Sequence, residues 1–333
     1  MPWNVLITAR TMNETGLHAL QRLRDSGANV IIPPKAGPLS EAELLPLLPN
    51  IDAVLASMCK FTDSVLSSVE SKQLKLISRW GVGYDAIHIP SATRNGVVVA
   101  FTPGLLNEAV ADYAFSLLCA VARRVHEGHE IMRGGEWRIT WGHDIHAKTL
   151  GILGCGRIGL AMARRASGFN MRVLAYDLTP TSEAQKLGIE FVSLDELLSQ
   201  SDFLSLHAAL TPTNRGLLDE KELRRMKPTS YIINTARGPL IDEEALVRAL
   251  TEKWIAGAAL DAFATEPLPK DHPLRRAPNI LITPHQASCT FETGARVSGA
   301  AVDAIIDLMN GRKPRWVVDD NVYASPSLRA RLG

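Results

Sequence analysis

Three polar side chains in the second half of the chain are of types that can act together on a small organic acid. Arg237, Glu266 and His285 each follow a short apolar run that is typical of a β-strand. A guanidinium binds a carboxylate through two hydrogen bonds and stays charged at any working pH. An imidazole can give or take a proton near neutrality, and a neighbouring carboxylate can hold its ring in place. Reduction of a 2-keto acid needs these groups and a hydride carrier.

Each of these residue types also has an ordinary explanation. An arginine after a strand is often part of a surface ion pair, and a histidine after a proline is often a loop residue. However, the carboxyl ends of parallel strands meet at one edge of a sheet, which is where open α/β folds bind their ligands. Three such side chains after three successive strands therefore predict one catalytic site.

A glycine pattern upstream indicates the hydride carrier. Gly154-Cys-Gly156-Arg-Ile-Gly159 lies between a predicted strand and a helix predicted at Leu160–Ala166. The three glycines permit a tight turn, close approach of a pyrophosphate, and close packing of helix on strand. The free N–H groups of the helix start would bind the phosphates. The same glycines also occur in ordinary turns, so the surrounding sequence has to decide.

Asp177 supplies that context. It ends the next predicted strand, 18 residues after Gly159. A carboxylate at this place accepts hydrogen bonds from the adenine ribose and repels a 2′-phosphate. The sequence therefore predicts NAD, rather than NADP, as the cofactor.

Alternating apolar runs and amphipathic stretches must position these groups. They are typical of βαβ units and parallel sheets, so the predicted fold class is α/β with doubly wound domains. Two long helices, Asn107–Arg124 and Glu292–Met309, are predicted on either side of the second strand series, and the tail Lys313–Gly333 is expected to return to the first domain. The predicted strands are Val5–Thr8, Asn29–Ile32, Ala53–Ala56, Leu74–Ser78, Val97–Ala100, then Thr149–Leu153, Arg172–Tyr176, Phe203–Leu206, Tyr231–Asn234, Gly257–Asp261 and Ile280–Thr283.

The predicted division is a substrate domain at 1–102 and 286–333 and an NAD-binding Rossmann domain at 103–285, inserted into it.

A net charge of +1 gives no bias toward nucleic acid or membrane, and no run is apolar enough to span a bilayer. The cysteines lack CxxC spacing and the N-terminus lacks a signal-peptide pattern, so we expect a cytoplasmic protein with reduced thiols. Two histidine pairs, His126/His129 and His143/His146, lack a nearby third ligand, so no metal is predicted.

Several motifs resemble those of the D-isomer-specific 2-hydroxyacid dehydrogenases, most closely their phosphoglycerate dehydrogenase branch, from about residue 4 to residue 320. The resemblance implies two Rossmann/flavodoxin-like domains with a cleft between them, and a homodimer formed through the nucleotide domain. The motifs are Trp80-Gly-Val-Gly-Tyr-Asp85, Thr102-Pro-Gly104, Asn107-Glu-Ala-Val-Ala-Asp112, Gly151–Gly159, His207–Thr213, Asn234-Thr-Ala-Arg-Gly238, Asp261 with Glu266-Pro267, and Thr283-Pro-His285.

The same resemblance assigns residues to roles. It gives the catalytic roles to Arg237, Glu266 and His285, and the substrate carboxylate to the N–H groups of Val82 and Gly83. Asp261 is expected at the nicotinamide amide. The implied substrate-binding residues are Ser57, Val82, Gly83 and Arg237, and the implied cofactor-binding residues are Gly154, Gly156, Arg157, Ile158, Gly159, Asp177, His207, Thr213, Thr235 and Asp261.

Two departures from that branch leave the substrate open. Many phosphoglycerate dehydrogenases carry an arginine in the loop after the third strand, where this chain has Ala56-Ser-Met-Cys59, with Lys60 close by. We also expect no regulatory domain of the kind that the longer members carry. The main prediction is a phosphoglycerate dehydrogenase-like enzyme, and the alternative is a glyoxylate/hydroxypyruvate reductase. The similar formate dehydrogenases usually have glutamine where this chain has Glu266, which argues against that activity. Corepressors of the same family, which sense NADH, are the alternative from another class.

Overall fold

A computed structural model describes residues 2–35 and 37–333 of the chain. The chain divides into two compact units, one made of Met1–Leu106 and Cys289–Gly333 and the other of Asn107–Ser288. These boundaries lie within a few residues of the predicted ones. The second unit is therefore one uninterrupted segment, whereas the first is assembled from both ends of the chain.

The strands and helices follow the predicted alternation. The strands are β1 (Asn4–Ile7), β2 (Asn29–Ile31), β3 (Ala53–Ala56), β4 (Leu76–Arg79), β5 (Val98–Ala100), β6 (Thr149–Leu153), β7 (Arg172–Tyr176), β8 (Glu190–Phe191), β9 (Phe203–Leu206), β10 (Tyr231–Asn234), β11 (Gly257–Leu260) and β12 (Ile280–Ile282). The α-helices are α1 (Leu17–Asp25), α2 (Glu41–Leu44), α3 (Asp63–Leu66), α4 (Ile89–Arg94), α5 (Asn107–Ala122), α6 (Val125–Arg133), α7 (Arg157–Ser167), α8 (Ser182–Lys186), α9 (Leu194–Gln200), α10 (Glu220–Leu223), α11 (Glu243–Thr251) and α12 (Phe291–Met309).

In the first unit, the described residues form a five-stranded parallel sheet with the order β2-β1-β3-β4-β5, the flavodoxin-like order. Every residue of β3 and β4 is buried, as expected of strands covered on both faces. Two hydrogen bonds fix α12 near β4, from Ser78 Oγ to the carbonyl of Ala301 at 2.8 Å and from Trp80 Nε1 to Ser298 Oγ at 3.0 Å. The C-terminal tail pairs with β5, where the N–H of Val318 donates to the carbonyl of Val99.

In the second unit, the strands of the described chain form a seven-stranded parallel sheet with the order β12-β11-β10-β9-β6-β7-β8. This is the dinucleotide-binding order with one strand added beyond the usual sixth. The strand order reverses between β6 and β9, so the ends of these strands mark the expected ligand site. The sequence predicted six strands here. It missed β8, which has two residues and begins with the polar Glu190, so it carries no apolar run.

A break in the first long helix corrects a second prediction. The apolar pattern predicted one helix over Asn107–Arg124, but α5 ends at Ala122 and Arg124 has a left-handed φ of 53°. The Arg124 side chain is anchored by Glu127 at 2.6 Å and by Asn279 at 3.1 Å. His126 and His129 therefore lie on the separate helix α6, and not on the tail of α5. Within the described ranges, no helix is both long and apolar enough to cross a membrane.

Candidate active site

The three predicted catalytic residues follow neighbouring strands. Arg237 follows β10, Glu266 follows β11 and His285 follows β12, and these strands lie side by side in the sheet. All three side chains are therefore carried on the same edge of the second unit. Glu266 and His285 are in direct contact.

Both carboxylate oxygens of Glu266 lie at hydrogen-bond distance from His285 Nδ1, at 2.9 and 2.8 Å. Burial raises the pKa of Glu266, but the hydrogen bond and charge of His285, the N–H of Phe263 and the charge of Arg237 together hold this pKa below its ordinary value. An ionised carboxylate can only accept, so Nδ1 of His285 carries the proton. The other ring nitrogen, Nε2, is then the one that can exchange a proton with a substrate.

The backbone of His285 is held in a strained conformation. Its φ is 52°, in the left-handed region that non-glycine residues seldom adopt. The buried Asp261 accepts hydrogen bonds from residues before and after His285. The donors are Thr283 Oγ1 at 2.6 Å, the N–H of Gln286 at 2.9 Å and the N–H of Ala287 at 2.8 Å. Asp261 thus fixes the loop that presents the imidazole. Its contact with the nicotinamide amide stays a prediction.

Asn234 shapes the turn that carries Arg237. Its Nδ2 donates to the carbonyl of Arg237 at 2.8 Å and its Oδ1 accepts from the N–H of Ala236 at 3.0 Å. No role was predicted for Asn234, although an asparagine at the end of a strand is a known turn-forming signal. The Asn234 amide thereby fixes the direction in which the guanidinium leaves the sheet.

Gly238 brings the Arg237 turn against the loop that carries Glu266. A Cβ atom added to Gly238 would lie 1.9 Å from the carbonyl carbon of Phe263 and 2.2 Å from the nitrogen of Ala264. The N–H of Phe263 in turn donates to Glu266 Oε1 at 2.9 Å. The close approach of two backbones therefore sets the spacing between the guanidinium and the carboxylate–imidazole pair.

The glycine loop has the geometry of a pyrophosphate site. Gly154 has a φ of 90°, and an added Cβ would lie 2.4 Å from the nitrogen of Ala208. A Cβ on Gly159 would lie 2.5 Å from the carbonyl oxygen of Gly154, whereas one on Gly156 would meet nothing within 4 Å. Helix α7 starts after Gly156 without a side-chain cap. Its first N–H groups, which include those of Arg157 and Ile158, thus face an open approach where phosphates can bind.

Other predicted cofactor residues surround this loop. Asp177 accepts from the N–H of Cys155 at 2.7 Å and from the N–H of Thr179 at 2.8 Å, and is half-buried. Each carboxylate oxygen keeps a second lone pair for a ribose hydroxyl. Thr235 Oγ1 is buried and has no partner in the described chain, as expected of a group that awaits a ligand.

His207 and Thr213 lie on the segment that follows β9. His207 Nε2 is 2.9 Å from Ser205 Oγ, and burial lowers the pKa of His207 to about 4. Its ring is therefore neutral at physiological pH, and its contact with the cofactor stays a prediction. Thr213 is exposed, and its hydroxyl bonds to that of Thr211 at 3.0 Å.

The predicted substrate residues Ser57, Val82 and Gly83 belong to the first unit. Thr102 Oγ1 accepts the N–H of Gly81 at 3.0 Å, and the buried Arg79 donates to the carbonyl of Gly83 at 2.8 Å. Within the described residues, the N–H groups of Val82 and Gly83 donate to no backbone carbonyl. The loop thus presents two N–H groups, as an anion site requires.

One of the two histidine pairs with metal-like spacing, His143/His146, bonds elsewhere, whereas Nδ1 of His126 is buried without a partner in the described chain. His143 Nδ1 lies 2.8 Å from the hydroxyl of Tyr231, and His146 Nε2 lies 3.1 Å from Asn170 Nδ2. In the part of the chain that the structure describes, no three His, Cys, Asp or Glu side chains are grouped as a metal site.

Comparison with known proteins decides the family. The sequence profile of the D-isomer specific 2-hydroxyacid dehydrogenase NAD binding domain matches residues 115–287, inside the second unit. The chain is 42% identical over 323 residues to a glyoxylate reductase of Thermofilum pendens, covering 94% of each chain. The chain belongs to the D-isomer specific 2-hydroxyacid dehydrogenase family.

Solved structures support the same assignment. The TT0316 protein from Thermus thermophilus superposes with a TM-score of 0.86 at 39% identity, covering 95% of this chain and 100% of its own. A glyoxylate reductase from Paecilomyes thermophila gives a TM-score of 0.83 at 30% identity, covering 96% of this chain and 99% of its own. The family members thus share the fold along nearly the whole length.

Membership of this 2-hydroxyacid dehydrogenase family makes the chain an NAD-dependent oxidoreductase. The residues present fit the dinucleotide, because α7 begins uncapped, Gly156 leaves open space and Thr235 Oγ1 is unpartnered within the described residues. The prediction of the family, the fold class, the cofactor and the reaction class is therefore confirmed. The finer prediction of a phosphoglycerate dehydrogenase-like branch is not supported by the names of the relatives, which favour the alternative.

Proposed function

We propose that the chain is a glyoxylate reductase that also accepts hydroxypyruvate. The observation that carries this proposal is the Glu266–His285 pair beside the Arg237 turn, in a chain whose relatives over nearly the full length are named glyoxylate reductase. Such a site needs a substrate with a carboxylate, an adjacent carbonyl and a small remainder. Glyoxylate is the smallest 2-keto acid with these groups.

The protein's own residues carry the proton and the charge. The Arg237 guanidinium binds the substrate carboxylate and polarises the carbonyl oxygen. Bound NADH supplies the hydride that the C2 carbon accepts. His285 in its imidazolium form gives its Nε2 proton to the carbonyl oxygen of the substrate, while its Nδ1–H continues to donate to Glu266. The Glu266 carboxylate thus holds the ring in place during the transfer, and the hydroxy acid leaves with one added hydride and one added proton.

The first unit is proposed as the substrate domain, with the N–H groups of Val82 and Gly83 on the substrate carboxylate and Ser57 on the adjacent loop. In the segment Ser57–Lys60 the cationic side chain is Lys60, which is exposed. The buried Arg79 donates to the carbonyls of Trp80 and Gly83 and lies 3.5 Å from Met58 Sδ. These features favour an uncharged remainder on the substrate over a phosphate.

A substrate panel tests the proposal. NADH oxidation is followed with glyoxylate, hydroxypyruvate and 3-phosphohydroxypyruvate, with the His285→Ala variant as the matched control. We expect the highest kcat/KM with glyoxylate or hydroxypyruvate. A clear preference for the phosphorylated acid would restore the phosphoglycerate dehydrogenase-like prediction, and turnover of none of them would favour an NADH sensor.

We also propose a homodimer that forms through the second unit. Trp137, Ile139 and Trp141 are 89%, 73% and 82% exposed on one short segment, and apolar side chains exposed together mark interaction surfaces. Light scattering on size-exclusion chromatography should give the mass of two chains, and Trp137→Ser with Trp141→Ser should give one. A wild-type monomer at micromolar concentration would contradict the dimer. We also propose a cytoplasmic location, because none of the described cysteines is joined in a disulfide.

A further inference from the structure

A second carboxylate contacts the loop that carries Glu266. Glu243 is the first residue of α11, the helix that follows the Arg237 turn. Its Oε1 accepts the N–H of Ala264 at 2.7 Å, and its side chain is only 12% exposed. A charged acceptor on a backbone N–H is among the stronger hydrogen bonds in proteins. The start of α11 is thereby tied to the end of the β11 segment.

This contact lies next to a bond of the catalytic pair. The N–H of Phe263, one residue before Ala264, donates to Glu266 Oε1 at 2.9 Å. The peptide between Phe263 and Ala264 is planar, so a fixed Ala264 N–H also fixes the Phe263 carbonyl and limits rotation about Phe263. Two successive N–H groups are thus held by two different carboxylates. Glu243 secures one and Glu266 uses the other.

The rotamer of Glu243 is itself supported from behind. Its Oε2 lies 3.4 Å from Nε2 of His272, whose Nδ1 accepts the N–H of Leu274 at 3.4 Å. His272 therefore joins Glu243 to the short helical turn at Pro273–Arg276. Each carboxylate oxygen of Glu243 therefore has a partner, Oε1 the Ala264 N–H and Oε2 the His272 ring, and these contacts fix the side-chain rotamer.

We propose that Glu243 is a positioning residue for hydride transfer, which keeps the Phe263 N–H directed at Glu266 and so keeps Glu266 on His285. Glu243 itself does not touch the reacting atoms. The inference rests on the proposed function for its turnover assay, but its structural part can be measured without a substrate.

Matched substitutions separate this role from a general effect on folding. Glu243→Gln keeps an oxygen that accepts the Ala264 N–H, and Glu243→Met has similar length without an acceptor. Glu243→Asp keeps the charge at the helix start but withdraws the carboxylate by one methylene. Glu244→Met changes the neighbour on the same turn and serves as the control.

The first measurement is steady-state turnover with glyoxylate and NADH. We expect E243M and E243D to lower kcat about tenfold, equivalent to ~1.4 kcal/mol of barrier, with KM and NADH affinity nearly unchanged. E243Q and E244M should stay within about twofold of the wild type, since Gln keeps an oxygen that accepts the Ala264 N–H and Glu244 is not the residue that accepts it. Wild-type kcat in E243M or E243D, or an equal loss in E243Q, would overturn the proposal.

The second measurement is hydrogen exchange at the Phe263 amide. We expect it to accelerate in E243M and E243D but not in E243Q. Unchanged exchange in both E243M and E243D would overturn the positioning role even if the wild type reduced no keto acid at all. Lack of turnover by the wild type, with the expected exchange pattern, would instead refute only the proposed function.

Discussion

The close contact at Gly238 allows a prediction with a magnitude. In Gly238→Ala the new methyl carbon would lie 1.9 Å from the carbonyl carbon of Phe263 and 2.2 Å from the nitrogen of Ala264, and both of these are backbone atoms. Carbon atoms in contact are normally about 3.5 Å apart, so the Arg237 turn and the Glu266 loop must separate by roughly 1.5 Å. No flexible side chain is available to absorb that shift.

Such a displacement should reduce catalysis far more than cofactor binding. Misplacement of a catalytic group by about 1 Å can cost roughly a hundredfold in rate, so we expect kcat of G238A to fall about 100-fold. Overpacking at this contact should also cost about 1–3 kcal/mol of stability. The glycine loop after β6 is untouched, and NADH affinity should change little.

Steady-state kinetics, NADH fluorescence titration and urea unfolding test these expectations together. Gly128→Ala is the matched control, because Gly128 lies inside α6 and an added Cβ there meets nothing within 4 Å. That variant should keep wild-type kcat and gain about 0.5–1 kcal/mol of stability. The reasoning is wrong if G238A turns over at the wild-type rate, because the two backbones would then have no fixed spacing.

Three further predictions follow from the site. His285→Ala should lower kcat by about 10²–10⁴-fold with unchanged NADH affinity in a fluorescence titration; wild-type turnover would remove the acid/base role. Asp177→Ser should raise the kcat/KM for NADPH relative to NADH, and a wild-type enzyme that prefers NADPH would contradict the role of Asp177. Burial raises the pKa of Glu266, but the contacts with His285, Phe263 and Arg237 outweigh burial and lower this pKa. The ionised Glu266 carboxylate therefore stabilises the folded state at any pH above the ordinary carboxyl pKa. That stability is lost as the pH falls through the lowered pKa, and urea unfolding across acid pH should show a smaller loss in Glu266→Gln; an identical loss would refute the coupling.

The catalytic side chains could be anticipated because parallel strands order their own ends. Once Arg237, Glu266 and His285 were placed after successive strands, their common edge followed from the geometry of the sheet. The contact between Glu266 and His285 agrees with the orienting role that chemistry predicted. The glycine loop could be anticipated for a similar reason, since its spacing reflects a local turn.

Contacts between distant segments could not be anticipated in the same way. The approach of Gly238 to Phe263, and the bond from Glu243 to Ala264, depend on how two strand-end loops meet in space. The end of α5 was missed because Arg124 enters the left-handed region while its neighbours keep a helical apolar pattern. Local helix propensity does not reveal the contacts of Arg124 with Glu127 and Asn279 that hold this conformation.

Substrate choice was the weakest inference from the residues. The motifs resemble the phosphoglycerate dehydrogenase branch, but motifs report the shared reaction at C2 and say little about the remainder of the substrate. The missing cation after β3 was the one residue-level sign against a phosphate. The names of the relatives point the same way.

The insertion of one unit into the other has a consequence for biosynthesis. The first unit cannot complete its core until α12, which bonds to Ser78 and Trp80, has left the ribosome. Translation proceeds at about 5–20 residues per second, so the nascent β1–β5 segment waits on the order of ten seconds or more for its closing helix. The nucleotide-binding segment is contiguous and can mature in that interval. Ribosome stalling just after Ser288 has emerged would therefore leave the β1–β5 strands exposed to chaperones while the dinucleotide fold is already formed.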